Sequence, residues 1–395
     1  MERFASAAAL IAARPPDRPV LGLRPHAAGR AARWFLDNFP GDVAYAYKAN
    51  SSVFLIGALY GAGIRQFDVA SLPELEDAAT IPGVRLHFMH PVKPRVAIRR
   101  AYFELAVKAF ALDSEDELQK ILEETRGARD LELFVRIAVP AKNSRIPLQH
   151  KFGVSGAKAV RLLVKTRQAA QTLGIAFHVG SQTTTPDAYV TALEEVRALV
   201  ARAGVVMDAI DVGGGFPACY GDSKPAPLSM FMDAIRAGAA HLPVGNRCRL
   251  LCEPGRALAA ESESLIVRVD ARRGNELFIN DGGYGALFDA AHLGLVYPAR
   301  AAGAVKNPSV MAPFELWGPT CDSIDRMRGP FLLPATIKEG DYIEIGNIGA
   351  YGRAIAGAFN GYGRYDEVIL LDEPMYSMYE QRAASGERRA ASGEQ

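Results

Sequence analysis

The sequence predicts an α/β protein made of a (β/α)8 barrel and a second, C-terminal β domain. Between about residues 42 and 270, roughly eight short apolar runs alternate with alanine-rich helical stretches, the pattern of a parallel barrel. After residue 260, strand-like runs are separated by glycines and prolines without a long helix, which indicates a β domain. An open, doubly wound sheet also alternates strands with helices, so the alternation alone leaves that fold open.

Each predicted barrel strand is a run of four to seven mostly apolar residues. These strands are Val43–Tyr47, Gln66–Val69, Leu86–Met89, Ala109–Leu112, Leu133–Ile137, Ile175–Val179, Val206–Val212 and Arg249–Cys252. Predicted helices between them include Leu72–Thr80, Glu115–Glu124, Ala157–Leu173 and Ala188–Ala203. The β-domain strands are Leu265–Val269, Leu277–Asn280, Phe314–Leu316 and Tyr342–Ile345.

We expect four segments along the chain. Residues 1–23 form an N-terminal segment whose strand, Val20–Leu23, could belong to either unit and is assigned to the β domain. The barrel takes residues 24–262 and the β domain residues 263–371. Residues 372–395 are an extension and a tail, in which RAASGE occurs at 382–387 and again at 389–394. This polar repeat has no apolar residue larger than alanine, so we expect the tail to be disordered.

Composition excludes several classes of function. The 45 basic and 44 acidic residues nearly cancel, which leaves no basic field for nucleic acid or an anionic membrane. Four cysteines are too few for a disulfide scaffold and suit a reducing cytoplasm. The spacing of Cys248 and Cys252 lacks a second ligand pair, so no metal site is expected. Neither a secretory signal nor a membrane span is predicted, and we expect a cytoplasmic protein.

Lys48 ends an alternating apolar run and is the strongest chemical signal in the chain. A lysine where a strand leaves the core loses hydration, which lowers its pKa and frees an amine that can attack a carbonyl. Lysines that form a Schiff base need this property. The alternative is an ordinary lysine that extends from a strand end into solvent.

Two later strand ends carry groups that suit an anionic ligand. The loop Gly213–Gly215 follows a predicted strand, and successive glycines let backbone N–H groups approach an anion closely. Glu253 and Arg256 follow another strand, and a barrel would place both ends on the same face. Arg256 could hold a phosphate, while Glu253 could pair with a protonated ring nitrogen. A tight turn without a ligand is the alternative for the glycines.

Two further segments offer reactive side chains. His178 and Ser181 lie at a predicted strand end, where a flat ring and a hydroxyl suit stacking on a cofactor and donation to its phosphate. A lone histidine is more often structural. Cys321 and Asp322 follow a Gly-Pro turn in a loop beyond the barrel, where a thiol could be accessible. A buried, inert cysteine is the alternative.

Taken together, these motifs occur in an order that resembles one family. The chain resembles the pyridoxal-phosphate-dependent amino-acid decarboxylases built on the alanine-racemase-like barrel, and within them the ornithine/lysine decarboxylase branch. The resemblance spans about residues 20 to 365. Its motifs are Tyr45–Asn50, Phe67–Ser71, Lys151–Gly153, His178–Gln182, Gly213–Pro217, Glu253–Arg256, Asn280–Gly282, Cys321–Asp322 and Gly349–Tyr351.

The resemblance implies a role for each matching residue. Lys48 would bond covalently to the cofactor, His178 would stack on its ring, and Glu253 would pair with the ring nitrogen. The other residues implied to contact the cofactor are Asp68 and Arg136, with Ser181, Gly215, Arg256 and Tyr351 at the phosphate and Gly214 and Gly255 beside them. Cys321 would act from the partner subunit of a homodimer and protonate the decarboxylated carbon. Asp289, Asp322 and Phe359 would contact the substrate.

The family pattern also bears on the substrate. Diaminopimelate decarboxylases share most of these motifs, but their cysteine is typically followed by Glu-Ser-Gly-Asp, whereas Asp-Ser-Ile-Asp follows Cys321. This difference favours a substrate that ends in an ammonium, ornithine first and lysine second. Diaminopimelate-type and carboxynorspermidine-type enzymes stay open as alternatives. Tyr47 and the pair Ala290–Ala291 depart from the common pattern and leave the substrate's chain length open.

A different class of function is an inactive homologue that regulates a partner decarboxylase. Such proteins usually lose the cofactor lysine or the cysteine. This chain retains Lys48, His178, Glu253, Arg256 and Cys321, which favours an enzyme.

Overall fold

Eight parallel strands within the described residues close into a barrel, and this confirms the predicted fold class. The computed structural model describes residues 1–140, 144–147, 151–242, 248–304 and 309–379. The repeated RAASGE tail lies outside the described residues. The barrel closes because the strand Arg249–Cys252 pairs in parallel both with Ala209–Asp211 and with the first barrel strand, Asp42–Ala46. An open sheet is thereby excluded.

The strands and helices of the described residues are numbered here in chain order. The strands are β1 Arg3–Phe4, β2 Val20–Leu23, β3 Asp42–Ala46, β4 Gln66–Val69, β5 Arg85–Phe88, β6 Ala109–Leu112, β7 Glu132–Arg136, β8 Ser144–Ile146, β9 Thr172–Ala176, β10 Ser181–Thr183, β11 Ala209–Asp211, β12 Arg249–Cys252, β13 Glu263–Arg273, β14 Glu276–Ile279, β15 Ala299–Ala301, β16 Met311–Trp317, β17 Arg326–Pro334, β18 Tyr342–Ile345 and β19 Asp366–Leu370. The helices are α1 Ala7–Ala13, α2 Pro25–Asn38, α3 Val53–Gly61, α4 Leu72–Ala78, α5 Arg95–Phe103, α6 Glu115–Glu124, α7 Gly156–Ala169, α8 Asp187–Ala203, α9 Leu228–Ala240, α10 Arg256–Ala259, α11 Phe288–His292 and α12 Gly352–Ile355.

The alternation of side chains along β6 shows how the barrel is packed. Ala109 and Ala111 belong to a small cluster with residues of β7, β9, β11 and β12, whereas Phe110 and Leu112 belong to the large core cluster that also contains helix residues. Alternate residues of a barrel strand point inward and outward, so the two alanines of β6 face the interior beside larger side chains such as Phe134 and Leu251, while Phe110 and Leu112 meet the helices. This division leaves the barrel interior as a packed core, with its polar groups at the strand ends.

Serine side chains begin several of the helices around the barrel. Ser6, Ser52, Ser71 and Ser114 each accept a hydrogen bond from the backbone N–H three residues further on. This cap satisfies a donor that has no partner within the first helical turn. The starts of α1, α3, α4 and α6 are therefore encoded locally.

Several predicted boundaries were wrong, and three of them lie in the barrel near the site. Helix α7 ends at Ala169 instead of Leu173, because Ala170 is extended and the N–H groups of Gln171 and Thr172 already donate to Leu131 beside β7. As a result, β9 lies earlier than predicted and ends at Ala176. The run from Val206 to Val212 is only partly strand, since Val206 is 64% exposed and pairing begins at Ala209.

A second sheet, of nine strands in the described chain, joins the first and last parts of the protein. Strand β2 pairs antiparallel with β13 and parallel with β19, so the N-terminal strand lies in this sheet. The turn after β3 is hydrogen-bonded to the β domain. Asn50, which is fully buried, donates to Glu263 at 3.0 Å and to the carbonyl of Gly349 at 2.9 Å. The two units are thus joined next to Lys48. No helix among the described residues is both long and apolar enough to cross a lipid bilayer.

Candidate active site

The carboxyl ends of the barrel strands converge, and the polar residues predicted for the barrel part of the site lie there, together with Asp211, for which no role was predicted. Asp68 lies in β4, Arg136 ends β7, and Asp211 ends β11. Lys48 follows β3 in a short 3-10 turn, and Glu253 immediately follows β12. Barrel enzymes form their sites at this end because neighbouring loops there present side chains to one another.

Lys48 forms an ion pair with Asp68, with Nζ 2.8 Å from Oδ2. The Asp68 side chain is only 2% exposed, whereas that of Lys48 is 43% exposed and reaches the open mouth of the barrel. Desolvation lowers the pKa of the Lys48 amine, but Asp68, Tyr351 and Glu253 outweigh it and raise the pKa above its usual value. The predicted lowering of the Lys48 pKa was therefore wrong for the cofactor-free protein, because a buried carboxylate lies beside the amine.

Glu253 and Asp211 form a buried carboxyl pair behind Lys48. Desolvation, the facing Asp211 and Asp68 raise the pKa of Glu253 well above its usual range, although Lys48 and Arg136 oppose the change. Desolvation also raises the pKa of Asp211, to about 6, while the N–H of Gly213 donates to it at 2.8 Å. Oε1 of Glu253 is buried and has no hydrogen-bond partner among the described residues. The site thus holds a carboxyl oxygen that a ligand can satisfy.

His178 lies two residues beyond the end of β9 and therefore outside the strand, although the predicted strand Ile175–Val179 included it. Its Nδ1 accepts a hydrogen bond from the N–H of Gly180 at 3.1 Å, which assigns the ring proton to Nε2. Burial, followed by the charges of Arg136 and Lys48, lowers the pKa of His178 well below its usual value. The ring is therefore neutral and has a fixed orientation.

Arg256 lies next to these groups. We call Arg256 and the side chains around it, Ser181, Tyr220, Asp289 and Tyr351, the anion pocket. The Arg256 guanidinium donates to Ser181 at 3.3 Å, to Tyr220 at 2.9 Å and to Asp289 at 2.8 Å, and the Tyr351 ring centroid lies 4.9 Å away. Desolvation lowers its pKa, but Tyr220 and Asp289 reverse the effect, so the net shift is upward. The pocket keeps a buried, charged guanidinium with hydroxyl groups around it.

The glycine loop beside this pocket lets neighbouring groups come close to its backbone, because the glycines carry no side chains. Gly213 and Gly215 have φ values of +66° and +114°, which side chains rarely adopt. A Cβ on Gly214 would lie 2.7 Å from the Glu253 carbonyl oxygen and 3.0 Å from Nε2 of His178. A Cβ on Gly255 would lie 3.1 Å from the Cβ atoms of Ala46 and Ala49. The small residues leave room where larger ones would collide.

These residues fit pyridoxal phosphate. The unpartnered Glu253 oxygen suits a protonated ring nitrogen, the neutral His178 ring suits stacking, and Arg256 with Ser181 suits a phosphate. The side-chain amine of Lys48 lies at the mouth of the barrel, 2.8 Å from Asp68, and suits a covalent bond to the cofactor. The structure thus brings together the residues predicted to hold the cofactor, and their individual roles stay predictions.

Asp289 is not available as an unpaired carboxylate for the substrate, because it already forms an ion pair with Arg256. It was predicted to contact the substrate, but it is 4% exposed and its carboxylate is bound to Arg256. A contact with the substrate would have to share that carboxylate with the guanidinium. The predicted role of Asp289 is not tested by this contact.

The predicted substrate residues outside the barrel form a second group. Cys321 is exposed, and its N–H and Sγ lie 3.2 Å and 3.4 Å from Oδ1 of Asn360. The Tyr284 hydroxyl donates to Asp322 at 2.5 Å, and the rings of Tyr284 and Phe359 are 4.8 Å apart. In the described part of the chain, no hydrogen bond, ion pair or ring contact joins Cys321 or Asp322 to Lys48.

Sequence reasoning assigned no role to four residues of these two groups. They are Asp211, Tyr220, Tyr284 and Asn360. Asp211 lies two residues before the glycine loop and Asn360 follows Phe359, so their nearness in sequence to predicted site residues was the available signal. Tyr220 and Tyr284 reach their partners only through the tertiary fold, and no local pattern marks them.

The fold and the site together define a barrel enzyme that holds a phosphorylated cofactor beside a lysine. Residues 27–260 match the family model for the pyridoxal-binding domain of pyridoxal-dependent decarboxylases. The chain belongs to this family, and pyridoxal phosphate is its cofactor.

Three known proteins illustrate the similarity. An ornithine decarboxylase of Caenorhabditis elegans is 32% identical over 360 residues, which cover 84% of this chain and 82% of that protein. Antizyme inhibitor 2 of Xenopus laevis is 32% identical over 350 residues, covering 80% and 73%. The crystal structure of lysine/ornithine decarboxylase from Vibrio vulnificus, complexed with putrescine, superposes with a TM-score of 0.78 at 28% identity and covers 92% of this chain and 96% of that one.

The ion pair predicts how Lys48 responds to loss of its partner. In the cofactor-free protein, Asp68→Asn removes the nearest charge that raises the Lys48 pKa, while desolvation of the amine persists. The pKa should fall by about 1–3 units. The measurement is the pH dependence of Lys48 acylation, followed by peptide mass mapping.

The matched control is Asp270→Asn, which removes an exposed carboxylate paired with Arg268. This control should leave the Lys48 titration unchanged. An unchanged midpoint in Asp68→Asn would show that the ion pair does not set the charge of Lys48.

Proposed function

We propose that this protein decarboxylates L-ornithine to putrescine, with L-lysine, which gives cadaverine, as the second substrate. The observation that carries the substrate choice is the acidic group next to Cys321. Hydrogen bonds from Tyr284 and from the N–H of Ile324 lower the pKa of Asp322, so its carboxylate is ionised at neutral pH. An ionised carboxylate suits the distal ammonium of a basic amino acid. Putrescine formation would place the enzyme in polyamine synthesis.

The named relatives support the same substrate class. The nematode relative is an ornithine decarboxylase, and the Vibrio structure is a lysine/ornithine decarboxylase complexed with putrescine. Together with the Asp322 carboxylate, these relatives favour a basic amino acid over diaminopimelate, whose distal end also carries a carboxylate. They leave the preference between ornithine and lysine to be decided by experiment.

Each residue at the barrel mouth would have a separate role in the reaction. Bound pyridoxal phosphate supplies the electron sink for the electron pair left when CO2 departs. Glu253 would hold a proton at the ring nitrogen, which is favoured because its unpartnered oxygen is buried. Arg256 and Ser181 would hold the phosphate, and His178 would cover one face of the ring. Lys48 would hold the cofactor until the substrate amine takes its place.

In a homodimer, Cys321 and Asp322 of one chain would complete the active site at the barrel mouth of the other chain. Cys321 is exposed and contacts Asn360 instead of any barrel-mouth residue, so in a dimer its thiol is free to reach the partner's site. There it would donate a proton to the α-carbon of the substrate, while Asp322 pairs with the distal ammonium. A homodimer with two shared sites is therefore part of the proposal.

A cytoplasmic location is also proposed. Cys219, Cys248, Cys252 and Cys321 are all free thiols in the structure. Unpaired cysteines suit a reducing compartment.

The substrate proposal predicts a selective loss in Asp322→Ala. The purified holoenzyme should decarboxylate ornithine, then lysine, in a screen that also contains arginine and diaminopimelate. In Asp322→Ala, kcat/KM for the best diamino acid should fall by roughly 30-fold or more, because its ammonium loses a partner. The visible absorption band of the bound cofactor should be unchanged.

Asp270→Ala, which removes an exposed carboxylate of the β domain, serves as the matched control and should behave as the wild type. Unchanged catalysis in Asp322→Ala, or a loss that follows loss of cofactor, would count against the assignment. A wild type that binds pyridoxal phosphate but decarboxylates none of the four amino acids would favour a regulatory protein, the class to which the name of the Xenopus relative points.

The shared site predicts complementation between two inactive variants. Lys48→Ala and Cys321→Ala each remove one half of the site. After random subunit exchange, half of the dimers are mixed and each contains one intact site, so about a quarter of the wild-type sites should return. The measurement is activity before and after exchange, with exchange verified by native mass spectrometry. No recovery after verified exchange would refute a site shared between subunits.

A further inference from the structure

The segment Asp372–Tyr379 connects the two units of the protein. Asp372 accepts hydrogen bonds from Arg24 at 2.8 Å and from Arg300 at 2.7 Å, both from the sheet side. Further along, the Ser377 hydroxyl and the Met378 N–H both donate at 2.7 Å to Glu261, which follows α10. Glu261 is 2% exposed. The segment is therefore anchored at both ends by buried or partly buried groups.

Two residues of this segment, Tyr376 and Tyr379, are linked by hydrogen bonds to backbone next to the anion pocket. The Tyr379 hydroxyl donates to the carbonyl of Ala257 at 2.6 Å, and Ala257 is the residue after Arg256. The Asn347 side chain donates to the carbonyls of Tyr376 at 3.0 Å and Cys219 at 2.9 Å. Cys219 precedes Tyr220, whose hydroxyl is 2.9 Å from Arg256. Two sides of the pocket thus meet at the same segment.

Tyr379 is held firmly in this position. It is 3% exposed, and its ring lies 5.9 Å from that of Trp34. Burial, with Glu261 nearby, raises the pKa of its hydroxyl well above the usual value, so the group stays a hydrogen-bond donor. Helix α10 has only four residues and cannot hold its position by helix formation alone. An external hydrogen bond to its first turn therefore matters for where Arg256 lies.

We propose that Tyr379 is a positioning residue for the cofactor's phosphate group. By binding the carbonyl of Ala257, it fixes α10 and thereby the guanidinium of Arg256 in the anion pocket. Tyr379 touches neither cofactor nor substrate in this role. The proposal rests on pyridoxal phosphate binding by this chain, and it assigns a role to a segment for which the sequence offered none.

The test compares two tyrosine-to-phenylalanine changes within the segment. Tyr379→Phe removes the hydroxyl bound to Ala257, whereas Tyr376→Phe removes the hydroxyl of a side chain that is 48% exposed and keeps its backbone carbonyl. Cofactor-free protein is titrated with pyridoxal phosphate and, separately, with pyridoxal, which lacks the phosphate. Equilibrium dialysis gives both dissociation constants, with thermal unfolding midpoints recorded for each variant.

In Tyr379→Phe, pyridoxal phosphate should bind roughly 5- to 10-fold more weakly, as expected when one buried carbonyl loses its donor, while pyridoxal affinity stays the same. Tyr376→Phe should match the wild type for both ligands. Unchanged affinities, or an equal loss for both ligands, would overturn the proposal. A wild type that binds no pyridoxal phosphate would overturn the cofactor assignment and the proposal with it.

A second variant keeps the test decisive if Tyr379→Phe does not fold. Ser377→Ala removes the hydroxyl that donates to Glu261 and accepts from the Tyr379 N–H at 3.0 Å, while the Tyr379 ring is kept. It should weaken binding of pyridoxal phosphate, but not of pyridoxal. The absence of that difference would overturn the proposal in the same way.

Discussion

The structure of the site depends on how buried charge is balanced at the mouth of the barrel. Asp68, Asp211 and Glu253 bring three carboxyl groups to the strand ends, where the charges of Lys48 and Arg136 oppose them. Burial and mutual repulsion raise the pKa of Glu253, and its Oε1 has no hydrogen-bond partner among the described residues. A protonated ring nitrogen would satisfy this oxygen and add a positive charge. The cofactor-free site is therefore electrostatically prepared for a pyridinium.

Contacts between the barrel and the β domain also lie at the site. The turn that carries Lys48 is held by Asn50, which donates to Glu263 and Gly349, and Tyr351 donates its N–H to Ala49 at 2.8 Å. The anion pocket likewise draws Arg256 from one unit and Tyr351 from the other. Movement between the units would separate Tyr351 from Arg256 and break the hydrogen bonds that hold the turn carrying Lys48, so contacts between the units contribute directly to the site.

Local sequence signals favoured the barrel and marked Lys48, Glu253 and Arg256, because strand ends and glycine turns are encoded over a few residues. Asp68 and Arg136, in contrast, were predicted only through the family resemblance. Contacts between distant segments could not be predicted in this way. The charge of Lys48 was misjudged since Asp68 lies on the next strand, and Asp289 pairs with Arg256 from a separate helix. Helix α7 was extended too far because its apolar pattern continues into β9, and only pairing with β7 marks the boundary.

The most direct test of the account is to identify the lysine that holds the cofactor. The holoenzyme is reduced with borohydride, digested and mapped by mass spectrometry. The account predicts the label on Lys48, which lies at the barrel mouth beside Asp68. Its chemical rival is Lys93, a fully buried lysine whose pKa desolvation lowers to about 8 although Glu117 opposes the change. A label on Lys93, or on any lysine other than Lys48, would contradict the account.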